Sequence, residues 1–543
     1  EMKKIKDIIS SVKSALLVED GQYPTITVTP EELRKVAENL LKNGYDFLVN
    51  LTGMDYKDSL GVIYHISSSI DRTSLVVVKT STENRENPVI PTVSDIWESA
   101  NLYEREVYDF FGIRFINHPD MRRLFLRQDW NGFPFRKDYD SNPELNPVPL
   151  VNQSTEAMED VPTLTVNKDG ELVNSSTPLF GKQEYVINIG PQHPATHGVL
   201  HLRVSLDGEI INKVDPNFGY IHRGIEKMCE TKTYPQILQL TERLDYLSGT
   251  MNRHAFCLCV EKALGLEVPA RAQAVRVIFD ELTRIASHLL GWGCTCMDMG
   301  SITAFIYGMR DREKIMDIFE ETGGGRLMVG YNVIGGVAND VSPKFVDQVK
   351  EFIPYMRKMI KEYHTLFTYN PIARGRMENI GFLTKEQAIA LGTTGPVGRA
   401  SGWACDVRKI EPYAGYDKLD FEEVIRTEGG TLDRYLIRLD EIEQSLRIIE
   451  QLINNLPEGD YKAKTPAIIK LPAGEYYQRV ENARGDFGVY INSTGDKNPY
   501  RVKFRSPCMT LISALDPLCR NEKIADLIMI GASLDYVIPC ADR

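Results

Sequence analysis

All nine cysteines of this 543-residue chain lie at or after Cys229, and the first 228 residues carry none. A break of that size inside one chain marks two parts with separate histories, and the length alone exceeds what one hydrophobic core usually supports. Between the parts, 141–183 is polar and turn-rich, with Ser141-Asn142-Pro143, Pro147-Val148-Pro149 and Asn174-Ser175-Ser176-Thr177-Pro178. It reads as a linker, which gives domains at 1–140 and 184–543. The odd cysteine count, with no apolar leader after Glu1-Met2-Lys3-Lys4, predicts a non-secreted chain with free, buried thiols.

The first part reads as a small α/β domain. Leu33, Val36, Leu40 and Leu41 fall at helical spacing over 31–42. The runs 47–52, 62–67 and 74–79 are β-branched or alternating and predict strands. A helix is expected to begin over 95–100, capped by Ser94. The segment 104–139 mixes charges, aromatics and turn residues; it suits a docking surface, with a solvated loop as the plain alternative.

The second part opens with strands. The runs 184–188 and 201–206 precede Asp207-Gly208, a hairpin turn signal, and 209–214 returns. Val275, Ile278, Leu282, Ile285 and Leu289 line one helix face, and Leu439, Ile442, Leu446, Ile449 and Ile453 another. Both predict core helices of a bundle. Residues 475–543 return to strands and turns, with 500–507 as one strand. The fold class is α+β: a small α/β domain, a linker, then a mainly helical domain with a β-rich opening hairpin and a mixed end.

Chemistry concentrates in 189–300, where His193, His197, His201, His222, His254 and His288 fall. Each can be a satisfied interior residue. Together they also suit a metal site or a proton-coupled redox site. Zinc favours paired C-x-x-C ligands, whereas Cys257/Cys259 and Cys294/Cys296 are C-x-C pairs. A net charge of −12 opposes nucleic-acid binding, and no apolar run is long enough to cross a bilayer.

Longer motifs narrow the choice. Glu104-x-Glu106-x-Tyr108-Asp109-Phe110-Phe111-Gly112-Ile113, then His118-Pro119-x-x-Arg122-Arg123 and Arg136-Lys137-Asp138-Tyr139, resemble the signature of the C-type, thirty-kilodalton subunit of respiratory complex I. Gly190-Pro191-Gln192-His193-Pro194-x-x-His197-Gly198, His222-Arg223-Gly224-x-Glu226-Lys227 and Arg243-x-Asp245-Tyr246 resemble the D-type subunit of the same enzyme. Further matches run through Ile334-Gly335-Gly336-Val337, Arg399-Ala400-Ser401-Gly402, Ala483-Arg484-Gly485 and Asp542-Arg543. The chain thus resembles a fusion of the C-type and D-type subunits of complex I.

The resemblance implies a hydrogenase-large-subunit-like fold for 184–543. It also implies a quinone headgroup site in which Tyr246 and His197 are the ligands and Asp298 pairs with the histidine. Arg243 is implied to lie beside a [4Fe–4S] cluster held by a small partner subunit. His193 is implied to shape its loop, and His222, Arg223 and Glu226 to serve scaffold or interface. Further implied partners are a ferredoxin-like iron–sulfur subunit and a membrane subunit that completes the quinone tunnel. The implied location is the inner (plasma) membrane, peripheral, on the cytoplasmic side. No G-x-G-x-x-G joins a strand to a helix, so NADH or another donor is served by other subunits.

The alternative within this fold is a nickel–iron hydrogenase, which needs two C-x-x-C pairs for its soft metals. Asp245 and Ser248 stand at the first pair, and Val537 and Cys540 at the second. One thiolate of four cannot hold such a centre. A bare assembly scaffold would not need Tyr246, His197 and Asp298 together. One departure from the family remains: Met328 stands where many members carry a histidine near the cluster, and Val333 replaces an arginine. That favours a low-potential cluster with little pH dependence, and menaquinone over ubiquinone.

Overall fold

The computed structural model describes residues 2–19, 21–71, 73–142, 160–192 and 198–543. The first part is built on a five-stranded sheet in the order Leu16–Val18, Thr25–Thr27, Leu75–Thr82, Leu60–Ser67, Phe47–Asp55. Its pairs are antiparallel except Thr25–Thr27 beside Leu75–Thr82. Phe47–Asp55 and Leu60–Ser67 are buried along their whole length. Full burial of a strand requires cover beyond one face. Helix Ala100–Phe111 packs on Phe47–Asp55, and a Cβ on Gly53 would lie 2.6 Å from the Phe111 ring. The strand's free edge is capped by the second part. There Arg505 donates to the Val49 carbonyl at 3.2 Å and Arg501 to that of Gly53 at 3.3 Å.

Three expectations for this part need correction. Leu41 is exposed, and the buried face of helix Pro30–Lys42 is Leu33, Val36, Ala37 and Leu40. No helix begins at 95: residues 95–99 are turns, because Asp95 is drawn to the Arg34 guanidinium at 2.7 Å and the Ser94 hydroxyl bonds Thr92 instead of capping. Residues 104–111 are neither loop nor solvated. They lie within helix Ala100–Phe111, where Glu104, Arg105, Glu106 and Asp109 are all buried.

Of these charges Glu106 docks on the chain's own second part, whereas Glu104, Arg105 and Asp109 find their partners within the first, in Thr92 and Val93, in Asp120 and the Arg122 and Arg123 carbonyls, and in Arg123 and the amides of Leu124, Phe125 and Leu126. Glu106 is clasped by the Lys503 ammonium and the Arg543 guanidinium. Glu226 completes the cluster, with Arg501 at 2.9 Å, Arg543 at 3.4 Å and Lys503 at 3.8 Å. Burial opposes ionisation of Glu226, yet Lys503, Arg501 and Arg543 hold its carboxyl down at about 2. His222 packs against both Phe110 and Phe125, which also stack on each other, and its ring meets the Asp542 carbonyl at 2.6 Å. Of the three residues expected in scaffold or interface, His222 and Glu226 sit at the seam of the two parts, whereas Arg223 is exposed and donates to the Arg243 carbonyl.

Of the expected linker, 143–159 falls outside the described residues. Asp160–Val166 and Leu172–Pro178 form an antiparallel hairpin. The hairpin leans on the first part, with the Asn117 amide donating to Leu164 at 2.7 Å and that of Met121 to Pro162 at 3.0 Å.

The second part opens with the antiparallel sheet Tyr185–Ile189, His201–Asp207, Ile210–Asn217. Its body is the helices Gly249–Leu264, Ala270–Asp298, Ile302–Gly323, Pro343–Tyr363 and Thr431–Asn454. Both faces read from periodicity are buried in one core, and each such side chain contributes about 1.5–3 kcal/mol. The end departs from the strand-and-turn expectation. After the sheet Gly474–Asn482, Gly485–Ser493, Arg501–Arg505 come four helices: Pro507–Ser513, Leu515–Cys519, Ile524–Leu534 and Ile538–Asp542. Three of these are seven residues or fewer, too short for helical periodicity to register. Among the described residues no helix is long and apolar enough to cross a membrane.

Candidate functional site

Helix Ala270–Asp298 ends at a cavity. Cys294 and Asp298 lie one turn apart on its last stretch, and positions four apart share a face; both line the cavity. Tyr246 and Leu247, in the turn before helix Gly249–Leu264, form the second wall. Asp535, Tyr536 and Val537 form the third. Asp535 takes a left-handed backbone at φ 57°, which closes helix Ile524–Leu534 and turns its carboxylate inward toward Gly291.

The sequence-expected residues divide as follows. Tyr246 and Asp298 share this one cavity. His197 and His193 lie outside the described residues. Burial lifts the Tyr246 hydroxyl above its usual range, with Arg484 opposing and Asp245 reinforcing, so it stands as a neutral phenol donor. Among the described residues no hydrogen bond engages that hydroxyl.

Arg484 was missed as a site residue, although its Ala-Arg-Gly motif stood out. It sits at the tight turn between strands Gly474–Asn482 and Gly485–Ser493, where Gly485 has φ 135° and a Cβ would meet the Gly395 amide at 2.8 Å. Its fully buried guanidinium donates to Asp245 at 3.0 Å, Ser248 at 3.1 Å and Ser287 at 2.9 Å. It also reaches the Asp535 carbonyl at 2.9 Å and carboxylate at 3.4 Å. Asp245 and Ser248 are the positions where a hydrogenase would carry its first cysteine pair. A fixed cation therefore lies against the first ligand pair. The second pair is no better: the Cys540 sulfur lies 3.0 Å from the Ser506 hydroxyl, and the sulfur accepting the Val537 amide is that of Cys508. Hard oxygens already bound to a guanidinium do not fit a soft metal centre. The signal in the sequence was the charge itself: two carboxylates in an apolar cavity demand a buried cation.

Arg243 and Met328 lie on a separate, exposed face. Arg223 donates to the Arg243 carbonyl at 2.7 Å. Glu242 accepts from the Gly330 amide at 2.8 Å, which ties the loop carrying Met328 to the turn carrying Arg243. Arg326 steadies the same loop among Glu313, Asp317 and Glu320 of helix Ile302–Gly323.

Residues 26–144 match the model of the respiratory-chain NADH dehydrogenase 30 Kd subunit, and residues 298–470 and 465–543 that of the 49 Kd subunit. The chain is 57% identical to the fused C/D subunit of the NADH-quinone oxidoreductase of Phocaeicola vulgatus over 94% of its length and 98% of the relative's. It is 56% identical to the fused C/D subunit of Bacteroides thetaiotaomicron, over 92% and 95%. The unfused D subunit of the NADH-quinone oxidoreductase of Desulforamulus reducens is 46% identical, and its near-complete length (97%) matches 66% of this chain. The chain belongs to the family of fused C/D subunits of NADH-quinone oxidoreductase, the complex I enzymes.

Proposed function

We propose that this chain forms the quinone headgroup site of a proton-translocating NADH-quinone oxidoreductase, in its peripheral arm. The observation that carries the reading is the cavity lined by Tyr246, Asp298 and Asp535, the last of these held by the buried Arg484. A neutral quinone carbonyl accepts a hydrogen bond from a phenol, and the developing quinol oxygen takes its proton. Tyr246 serves one carbonyl and His197 the other. Asp298 favours the charged imidazole of His197 until the proton is spent. The carboxylate then loses its partner, and its rearrangement begins the motion that drives proton translocation.

Electrons reach the cavity from a [4Fe–4S] cluster in a small partner protein that docks on the face of Arg243 and Met328. The Arg243 cation favours the reduced cluster. The ferredoxin-like subunit passes electrons inward, and a partner embedded in the membrane closes the tunnel through which the lipid-soluble quinone enters. The chain acts at the cytoplasmic side of the inner (plasma) membrane, and menaquinone is the favoured acceptor. A hydrogenase role is opposed by the donor set, in which Asp245, Ser248 and Val537 replace thiolates.

Tyr246→Phe keeps the ring and deletes the donor. Quinone reductase activity of the assembled complex is expected to fall about 10²–10⁴-fold, with its complement of subunits unchanged. Wild-type turnover on a long-chain menaquinone analogue would remove Tyr246 from the mechanism.

A further inference from the structure

Eight of the nine cysteines are buried; Cys294 alone is partly accessible, and it opens onto the cavity of Tyr246 and Asp298. Its position is fixed by the helix: four residues before Asp298, on the same face, with Asp535 across the gap. A para-quinone is an electrophile as well as an oxidant. A ring carbon that bears hydrogen is open to addition by sulfur, whereas one bearing an alkyl group is blocked. Quinone headgroups and a thiol are therefore compatible in one cavity only when the ring is fully substituted or the sulfur is kept from reacting.

We propose that Cys294 is a covalent-capture site for quinones that carry a ring hydrogen, and that it restricts this site to quinones substituted at every position of the quinone ring. The proposal rests on the quinone reading of the cavity. The Cys294 sulfur bonds the unsubstituted ring carbon. The thiol proton and the displaced ring hydrogen end on the two carbonyl oxygens, so the quinone becomes a hydroquinone thioether joined to the protein. The ring gains the two electrons and two protons of reduction, and no further oxidant or reductant takes part. The adduct fills the cavity and ends turnover.

The surroundings make this reaction slow, not absent. Burial raises the thiol, the carboxylates of Asp535 and Asp298 add to the effect and Arg484 opposes it, so Cys294 stands at about 12. Among the described residues, Tyr246, Cys296 and Tyr536 are the other titratable groups around it. The thiolate, not the thiol, is the nucleophile, so at neutral pH a quinone is reduced many times before it is captured. Binding offsets part of that suppression by holding the ring against the sulfur.

The test uses membranes containing the whole complex and two probes that differ by one methyl group. They are 2-methyl-1,4-naphthoquinone, with a ring hydrogen, and 2,3-dimethyl-1,4-naphthoquinone, without one. Incubation with the first, followed by peptide mass spectrometry, is expected to find one adduct, on Cys294. Activity should fall with time in step with the adduct, about tenfold faster per pH unit between pH 7 and 9. The dimethyl probe should be reduced, form no adduct and protect Cys294. In Cys294→Ser the time-dependent part of the loss should vanish, whatever its starting rate. If the dimethyl probe is reduced but the monomethyl probe never marks Cys294, the capture proposal is overturned and the quinone reading stands. If Cys294 is marked but the dimethyl probe neither reacts nor protects, the quinone reading fails and the proposal falls with it.

Discussion

The seam between the two parts and the cavity at the end of helix Ala270–Asp298 use the same chemistry to opposite ends. At the seam, Glu106 and Glu226 face Lys503, Arg501 and Arg543, all no more than 4% exposed. Every member is spent on another. Beside the cavity, Arg484 is equally buried and holds Asp245 and Asp535, but of these only Asp535 lines the space, and Tyr246 and Cys294 still face it. A closed set of charges welds; a set closed on one side only supports a space. Burial alone therefore does not distinguish structure from function here. What distinguishes them is whether a polar side chain still faces a space the protein does not fill.

The sharpest break between the two regions comes from deleting one charge at the seam. Glu106→Ala leaves Lys503 and Arg543 buried beside a single carboxylate. Removing one partner of a buried ion pair costs about 3–5 kcal/mol. The expected outcome is a large loss of stability, read as weaker hydrogen-exchange protection of helix Ala100–Phe111 in the assembled enzyme. Turnover per surviving complex should be unchanged, the reverse of Tyr246→Phe. A Glu106→Ala enzyme that is stable but slow would erase the distinction drawn between weld and cavity.

Much of this division was legible in the sequence, and some was not. The helix faces 275–289 and 439–453 and the strands of the first part follow from apolar spacing, because burial imposes periodicity. Tyr246 and Asp298 were legible as a pair only through family resemblance; two whole helices between them in sequence hide their meeting. The weld was invisible for a physical reason. Glu106 looks like part of a wet surface unless its partners Lys503 and Arg543, far along the chain, are known. Asp245 and Asp535 signalled the need for a buried cation, but nothing in the turn 483–485 marked Arg484 as the one that supplies it.

A smaller effect separates two carboxylates within the seam helix itself. Glu106 has cations; Glu104, half a turn away, accepts from the Thr92 hydroxyl and the Val93 amide and lies 3.8 Å from His118. Burial lifts Glu104 to about 8, Asp95 adds slightly, and the two hydrogen bonds and Arg34 oppose. His118 is itself held near 4, chiefly by burial and by Arg105, and so is neutral beside it. A carboxyl with a raised folded value binds its proton more tightly when folded. Its stabilising contribution is complete below the unfolded value of 4.5 and is lost as pH rises through about 8. Across that window stability should fall by up to about 1.4 kcal/mol per pH unit. Glu104→Gln should flatten the slope of hydrogen-exchange protection in helix Ala100–Phe111 between about pH 6 and 8.5. An unchanged slope in that variant would assign the pH response to another group.

The smallest effect concerns the exposed face, where neither weld nor cavity operates. On the family resemblance, Met328 is expected where many complex I members carry a histidine near the partner's cluster, and Val333 where they carry an arginine. A histidine beside a cluster gains a proton when the cluster gains an electron, because the added negative charge favours the imidazolium. That uptake stabilises the reduced cluster and makes its potential fall as pH rises. Methionine cannot titrate. The partner cluster should therefore have a low, nearly pH-independent potential, and Met328→His should raise it at neutral pH and introduce a slope. One neighbour could take over the proton. Glu242 is buried next to the same loop, and burial raises its carboxyl, opposed by Arg253, the Gly330 amide and Arg243. Redox titration of the cluster at several pH values separates the cases. A flat wild-type potential that gains a slope in Met328→His supports the methionine argument. A wild-type slope of a full proton per electron ends it, and disappearance of that slope in Glu242→Gln would move the coupling from the exposed loop to the carboxylate beneath it.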